Sequence, residues 1–237
     1  MEVFFDIGQG DAIFIRTPQG HQILIDGGPT KKILEKLNNQ IPFWDRTIDL
    51  IILTHPDSDH LTGLNYVLDR YRVEKILWTG IQRNLKTFEK WLEKIEKEVR
   101  KEKAQVFITQ RGQVIGINDF KIYVLHPFQN LEGKFLKKNT NFSSIVISLS
   151  FLKNNFLFTG DIDTKIENRL ITTSDLKNQV LKIAHHGSKY SNSLQFLKAV
   201  NPRLAVISCG QNNKYHYPHF RVLKDLQDLK IKILILF

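Results

Sequence analysis

Only one cysteine, Cys209, occurs in the 237 residues, so no disulfide can form within the chain and nothing marks an oxidised scaffold. No apolar run approaches the roughly 20 residues that a membrane-spanning helix needs, so no insertion of this chain into a membrane is expected. The opening residues, MEVFFDIGQGD, have neither a basic stretch nor a long apolar core and do not read as a secretory signal. No Pro-, Gly- or Ser-rich linker and no solenoid repeat interrupts the chain. The expectation is therefore one domain over residues 1–237, large enough for a sizeable core and for an internal duplication. Acidic residues are in deficit: 24 Asp and Glu against 34 Lys and Arg give a formal charge of +10. That excess suits capture of a polyanion such as nucleic acid, through counterion release, and equally suits a soluble lysine-rich surface.

What is present is an alternation of apolar runs and helical patterns. The runs predict strands at residues 3–7, 12–16, 22–26, 50–53, 75–78, 105–109, 120–125, 144–152, 156–159, 180–183, 204–208 and 231–237. Helical periodicity predicts helices at 31–38, 61–71, 85–103, 163–171, 193–200 and 219–229. In the third of these, Phe88, Trp91, Leu92, Ile95 and Val99 form a core-facing stripe, and Lys90, Lys94, Lys97, Arg100 and Lys101 lie on a solvated face. Trp44, Trp78 and Trp91 are expected in the core rather than on a base-stacking surface. The pattern suggests sheets covered by helices on their outer faces, an α/β (α+β) class.

The stretch LTHPDSDHLTG places His55, Asp57, Asp59 and His60 within six positions, where a buried strand ends and a helix is expected to begin near Leu61. One bland reading is a polar turn in which Asp57 or Asp59 caps that helix. Capping does not explain two histidines beside two aspartates. Imidazole and carboxylate together suit zinc, manganese or iron rather than a thiolate site. Three further apolar runs end in polar groups: LIDGG at Asp26, FLFTGDI at Asp161 and LKIAHHGSKYS at His185 and His186. Each can deliver a side chain to one sheet edge, and together they suit a binuclear centre. In such centres a carboxylate bridges two cations, and the metals generate hydroxide at neutral pH.

In order along the chain, FFDIGQGDAIFI, ILIDGG, LTHPDSDHLTGL, VLHP, NFSSIVISL, FLFTGDI, LKIAHHGSKYSNS and VISCGQNNKYHYPH resemble the metallo-β-lactamase superfamily. They are most similar to the hydrolase domain of the ComEC competence protein family. The resemblance implies a four-layer αββα sandwich with metals at the edge where two sheets meet. It implies that the superfamily's HxHxDH pattern falls on His55, Asp57, Asp59 and His60, with aspartate in place of the second histidine. Asp161 matches the bridging aspartate, His186 the last histidine ligand with His185 as its substitute, and Asn141 an asparagine typical of the ComEC-like branch. One metal site would hold His55, Asp57 and Asn141, and the other Asp59, His60 and His186, with Asp161 between. The first is poor in imidazole and is expected to be the weaker, tolerant of manganese or empty. Asp26 matches a residue that orients ligands, and Asp11 is a second carboxylate that could reach the site. His126, in VLHP, comes too early to be the superfamily's missing histidine.

The branch usually reads YGHP near its end, whereas this chain has Tyr215, His216, Tyr217 and Pro218. Relatives also continue into a last hairpin beyond KIKILILF, so the chain is expected either to be truncated there or to lack that hairpin. The implied function is a metal-dependent hydrolase, a phosphodiesterase or nuclease acting on DNA through two Zn or Mn ions and an activated hydroxide, as in ComEC-type DNA uptake beside a membrane channel domain. Asp59 would orient the nucleophile, and His186 or His216 would protonate the leaving oxygen. Ser188, Tyr215 and Tyr217 are candidate substrate contacts. The alternatives are a small-molecule phosphodiesterase similar to phosphorylcholine esterases, or a catalytically weak nucleic-acid-binding or uptake-accessory domain.

Overall fold

The structure, a computed structural model, describes residues 1–137 and 140–237. It divides into two compact units. The first comprises Met1–Thr109 and Leu131–Thr140, the second Gln110–Asn130 and Asn141–Phe237.

Unit 1 is a six-stranded sheet with its strands in sequence order: β1 (Glu2–Phe4), β2 (Ile13–Arg16), β3 (Gln22–Ile25), β4 (Thr47–Ile52), β5 (Arg72–Trp78) and β6 (Gln105–Ile108). The first three are antiparallel, joined by short loops, and β3 to β6 are parallel. Parallel neighbours need crossovers, and helices supply them: α1 (Lys32–Asn38), α2 (Ser58–Arg70) and α3 (Lys86–Glu102). The near-continuous apolar β4 fits a strand covered on both faces. Phe14, Leu24, Ile51 and Ile76 of the sheet share a core with Leu61, Leu64 and Val67 of α2 and Phe88, Trp91 and Ile95 of α3. Trp78 and Trp91 belong to that core, but Trp44 does not; it stands 72 % exposed against Phe43, itself 79 % exposed. The adjacent Pro42 and Asp45 put this aromatic pair on a loop rather than an element.

Unit 2 has seven strands in the order β13-β12-β11-β10-β9-β8-β7. These are β7 (Val114–Ile117), β8 (Phe120–His126), β9 (Val146–Phe151), β10 (Asn154–Phe158), β11 (Val180–Lys182), β12 (Leu204–Ser208) and β13 (Lys232–Leu236). Again the antiparallel strands, β7 to β10, come first and the parallel ones, β10 to β13, follow. Crossovers α4 (Thr164–Thr173), α5 (Leu194–Val200) and α6 (Phe220–Asp228) bury Leu170, Phe196, Leu197, Val222 and Leu226 with Leu157, Leu181 and Ala205 of the sheet.

All six expected helices are present, with one consequential shift. Helix α2 begins at Ser58 rather than near Leu61, so Asp59 and His60 lie in its first turn. Strand β7 is not in the expected set. Its run is short and interrupted by Gly116, although Asn118, in the left-handed region at φ 53°, makes the two-residue turn into β8. The helix α2 sits against the end of β3 through two glycines. A Cβ on Gly63 would lie 1.7 Å from the carbonyl oxygen of Gly27. The bare α-carbons let Gly63 N–H donate to Gly28 O at 2.8 Å and Gly27 N–H to His60 O at 2.7 Å. His60 is thereby fixed to the chain that follows Asp26.

Candidate metal centre

In unit 1 the candidate ligands follow β4. His55 and His60 are buried, with ring centroids 4.2 Å apart. Behind them is Asp26, 1 % exposed, which leaves β3 in the left-handed region at φ 56°, a conformation that aspartate tolerates better than most residues. Its carboxylate accepts the Thr54 N–H at 2.8 Å, the Thr54 hydroxyl at 2.6 Å and His60 Nδ1–H at 2.7 Å. Since Thr54 gives its only hydroxyl proton to Asp26, its oxygen can only accept from His55 Nδ1–H, 3.1 Å away. One carboxylate therefore sets both imidazoles to the tautomer whose basic lone pair is on Nε2. Such a carboxylate–histidine relay is how metal-binding histidines are commonly oriented.

Asp57 occupies the N-cap position of α2 without capping it. Its carboxylate instead takes a hydrogen bond from Thr140 Oγ1 and an ion pair with Arg83, and Oδ2 lies 3.7 Å from His55 Nε2. Arg83 Nη1 also donates to Thr140 Oγ1 at 2.7 Å. Asp11 is buried and its N–H donates to Asp59 O at 3.3 Å, which brings the IGQGD loop onto the start of α2. Asp11, Asp26 and His60 each offer a ligand atom within 4.8 Å of the others. The three bonds that Asp26 accepts make it the orienting member of that group.

In unit 2, Asp161 follows β10, is buried, and donates its N–H to Ser144 Oγ at 3.0 Å. The AHHG turn follows β11. His185 and His186 have φ of 49° and 54°, two consecutive left-handed residues. An extended strand would send neighbouring side chains to opposite faces. Here both rings turn to one carboxylate, with His185 Nε2 3.9 Å and His186 Nε2 3.6 Å from Asp161 Oδ2. Asn192 stabilises this backbone by bonding both sides of Ala184, N–H to Oδ1 and Nδ2 to O, each at 2.9 Å. The two histidines differ in tautomer. His186 donates Nδ1–H to Ser208 O at 2.9 Å, leaving its lone pair on Nε2. His185 Nδ1 accepts from Asn141 Nδ2 at 3.2 Å, so its proton is on Nε2.

His126 is buried and donates Nδ1–H to Ser144 O at 2.7 Å. Burial depresses its pKa to about 4, the Ser144 bond opposing and Arg169 assisting. Ser188 is fully buried, and its hydroxyl accepts from Tyr190 N–H at 3.3 Å. Tyr215 and His216 are exposed and Tyr217 is partly buried. Five further residues position these groups, Thr54, Arg83, Thr140, Ser144 and Asn192, and none of them is of a type that marks a metal site in sequence. Thr54, Ser144 and Asn192 adjoin or lie within the quoted motifs, which was the available signal, whereas nothing around Arg83 pointed to it.

The donor set passes a chemical test for a divalent metal. In unit 1, His55 and His60 are held by Nδ1 so that Nε2 is the basic nitrogen, in a segment that also carries the carboxylates of Asp57 and Asp59. In unit 2, His186 is held in the same way near the Asp161 carboxylate. Nitrogen and oxygen without thiolate suit zinc, manganese or iron.

Residues 5–211 match the sequence profile of the metallo-beta-lactamase superfamily. The chain belongs to that superfamily, and with it to a metal-dependent hydrolase fold whose members typically bind divalent metals. Among curated proteins it is similar to ComE operon protein 3 of Bacillus subtilis, 32 % identical over 97 % of this chain and 31 % of that protein. It is also similar to competence protein ComA of Neisseria gonorrhoeae, 32 % identical over 97 % of this chain and 30 % of that one. The chain thus spans about a third of the length of these relatives. A solved structure, the metallo-beta-lactamase fold protein YhfI of Bacillus subtilis, superposes with a TM-score of 0.60 at 15 % identity, covering 99 % of this chain and 95 % of that one. The matches agree with the ComEC-like motifs of the sequence and with a mixed α/β fold that has two sheets and six α-helices among the described residues. No helix among the described residues is long and apolar enough to cross a membrane.

Proposed function

We propose that this chain is a metal-dependent phosphodiesterase, a nuclease acting on DNA as one catalytic domain of a DNA-uptake system. The observation that carries the reading is the common tautomer of His55, His60 and His186, each held through Nδ1 by Asp26, Thr54 or a backbone carbonyl. We assign the ligands as His55, Asp57 and Asn141 for one cation and Asp59, His60 and His186 for the other, with Asp161 shared. When bound, divalent zinc or manganese would acidify water and neutralise charge that develops on a phosphoryl oxygen. Asp59, on the first turn of α2, would orient the attacking water through the carboxylate oxygen that the cation does not take. His186 is committed as a ligand, so His185, neutral with its one proton on Nε2, would donate a hydrogen bond to the leaving oxygen, and the exposed His216 is left to supply the proton. Asp57 is already engaged by Arg83 and Thr140, which favours a weaker cation at His55 and Asp57.

Competence proteins among the relatives and a formal charge of +10 support a nucleic-acid substrate. A membrane channel domain is the proposed neighbour. One observation favours the reading of a binding or accessory domain with little turnover: Tyr217 stands where the branch usually has a histidine. A small-molecule phosphodiesterase is the remaining rival. The deciding experiment measures bound metal by elemental analysis, then cleavage of single-stranded DNA with manganese or zinc, for the wild type, His60→Ala and Asp161→Asn. The proposal expects metal content and cleavage to fall together in both variants. Metal-loaded wild type that binds DNA without cutting it supports the accessory domain instead.

A further inference from the structure

The loop after β12 carries an aromatic series that the metal chemistry does not use. Asn213 closes this loop with four side-chain bonds: Nδ2 donates to Gly210 O at 2.9 Å and Tyr217 O at 2.7 Å, and Oδ1 accepts from Tyr215 N–H at 3.1 Å and Tyr217 N–H at 3.0 Å. His216 between the tyrosines is in the left-handed region at φ 54°. The two tyrosine rings consequently stack, with centroids 5.4 Å apart and planes 19° apart. The inner ring, Tyr217, meets the His185 ring at 5.5 Å and 70°. The loop is seated directly on the AHHG turn. His219 N–H donates to Gly187 O at 2.9 Å, and a Cβ on Gly187 would come within 2.6 Å of Pro218 Cβ. Exposure rises outward from the buried His186 through partly buried Tyr217 to Tyr215, which is 52 % exposed. Lys214 Nζ lies over the Tyr215 ring, 5.0 Å from its centroid, so a base taking that face displaces the ammonium toward a flanking phosphate.

A loop already closed by Asn213 needs no second, solvent-facing tyrosine to hold its shape. We propose that Tyr215 and Tyr217 form a stacking step for an unpaired nucleobase, continuing the ring series outward from His185, with Lys214 meeting a flanking phosphate. This inference rests on the nucleic-acid reading and narrows it. A base can lie on Tyr215 only when it has left its duplex, so the step selects single-stranded over double-stranded substrate, without reading sequence. Stacking of this kind is sequence-tolerant because every base offers a π-face.

The test is binding by metal-free protein in chelator, where no strand is cut. The probes are a single-stranded ten-nucleotide DNA carrying 2-aminopurine, an abasic oligomer with the same phosphates, and the corresponding duplex. Wild type is expected to bind the base-containing strand about tenfold more tightly than the abasic one, and to quench 2-aminopurine fluorescence. In Tyr215→Ala the ratio of the two affinities should fall close to one and the quenching should disappear, while Tyr215→Phe, which keeps the ring, should retain both. A wild-type ratio near one, or a preference that persists in Tyr215→Ala, overturns the stacking step and leaves phosphate-based nucleic-acid binding standing. Failure of wild type to bind any of the three probes overturns the nucleic-acid reading itself.

Discussion

Replacing Asp26 by asparagine should reverse a chain of protons. The carboxylate accepts from three donors, two of which are the Thr54 hydroxyl and His60 Nδ1 and can change role, while the third, the Thr54 backbone N–H, cannot. The asparagine must therefore keep its oxygen toward Thr54 N–H and turn its amino group to the other two. His60 Nδ1 then becomes an acceptor and its proton moves to Nε2. The Thr54 hydroxyl, now receiving a proton from the amide, is released to donate to His55 Nδ1, and His55 changes tautomer as well. All three bonds persist as neutral ones. The loss is the charge-assisted part of each, so the fold should be weakened by only about 2 kcal/mol in urea denaturation of metal-free protein. The effect on metal is larger, since both nitrogens needed for coordination carry protons. Loss of one orienting partner commonly costs 10–100-fold, and two altered histidines put the expected loss of zinc affinity at about 100-fold by calorimetry. Long-range 1H–15N correlation spectra of the histidine rings read the tautomers directly. A His60 ring that stays unprotonated at Nε2 in Asp26→Asn, or a zinc affinity close to wild type, refutes the relay.

Other consequences are as specific. Gly63→Ala must displace α2 from the Gly27 carbonyl, and should cost about 3 kcal/mol in urea denaturation; a cost below 1 kcal/mol would show that the contact yields freely. His126 has a folded-state pKa of about 4, below its ordinary value, so the unfolded chain takes up its proton first as pH falls. Its contribution is complete above about pH 6.5 and is lost toward pH 4, with about 2 kcal/mol gone between pH 7 and pH 5. In His126→Gln that part of the pH dependence should vanish, and an unchanged slope would remove His126 as its source. Arg83→Met frees the Asp57 carboxylate from its guanidinium, and elemental analysis should find more metal retained; a decrease would make Arg83 a support of the site rather than a competitor.

Fold-level information was dense in the sequence because the apolar runs of a helix-covered sheet are long and helices such as α3 are strongly periodic. Strand β7 escaped because Gly116 splits a run of four residues whose pairing is decided by the β8 hairpin. Trp44 lies outside the core against expectation, because an aromatic side chain carries no local mark of whether the fold covers it. Helix α2 starts three residues before the expected Leu61, since the acidic and polar residues Asp57 to Asp59 look like a turn in sequence. They begin a helix because Gly27 and Gly63 bring that helix against β3, a long-range contact. At the site, residue types that bind metal announced themselves, while the groups that orient them did not. Thr54 acts through one shared proton and Asn192 through a backbone contact eight residues away, and neither leaves a signature in composition or period.

All three tryptophans, Trp44, Trp78 and Trp91, fall in unit 1, and unit 2 has none. Intrinsic emission excited at the red edge of the indole band therefore watches one unit alone, whereas far-ultraviolet dichroism watches both. The solvent-facing Trp44 should be the fraction open to iodide quenching, with Trp78 and Trp91 the shielded remainder. Superimposed melting curves from the two methods would mean that the units unfold as a single cooperative body. A fluorescence transition that departs from the dichroism curve would instead show one half of the proposed ligand set losing its scaffold before the other.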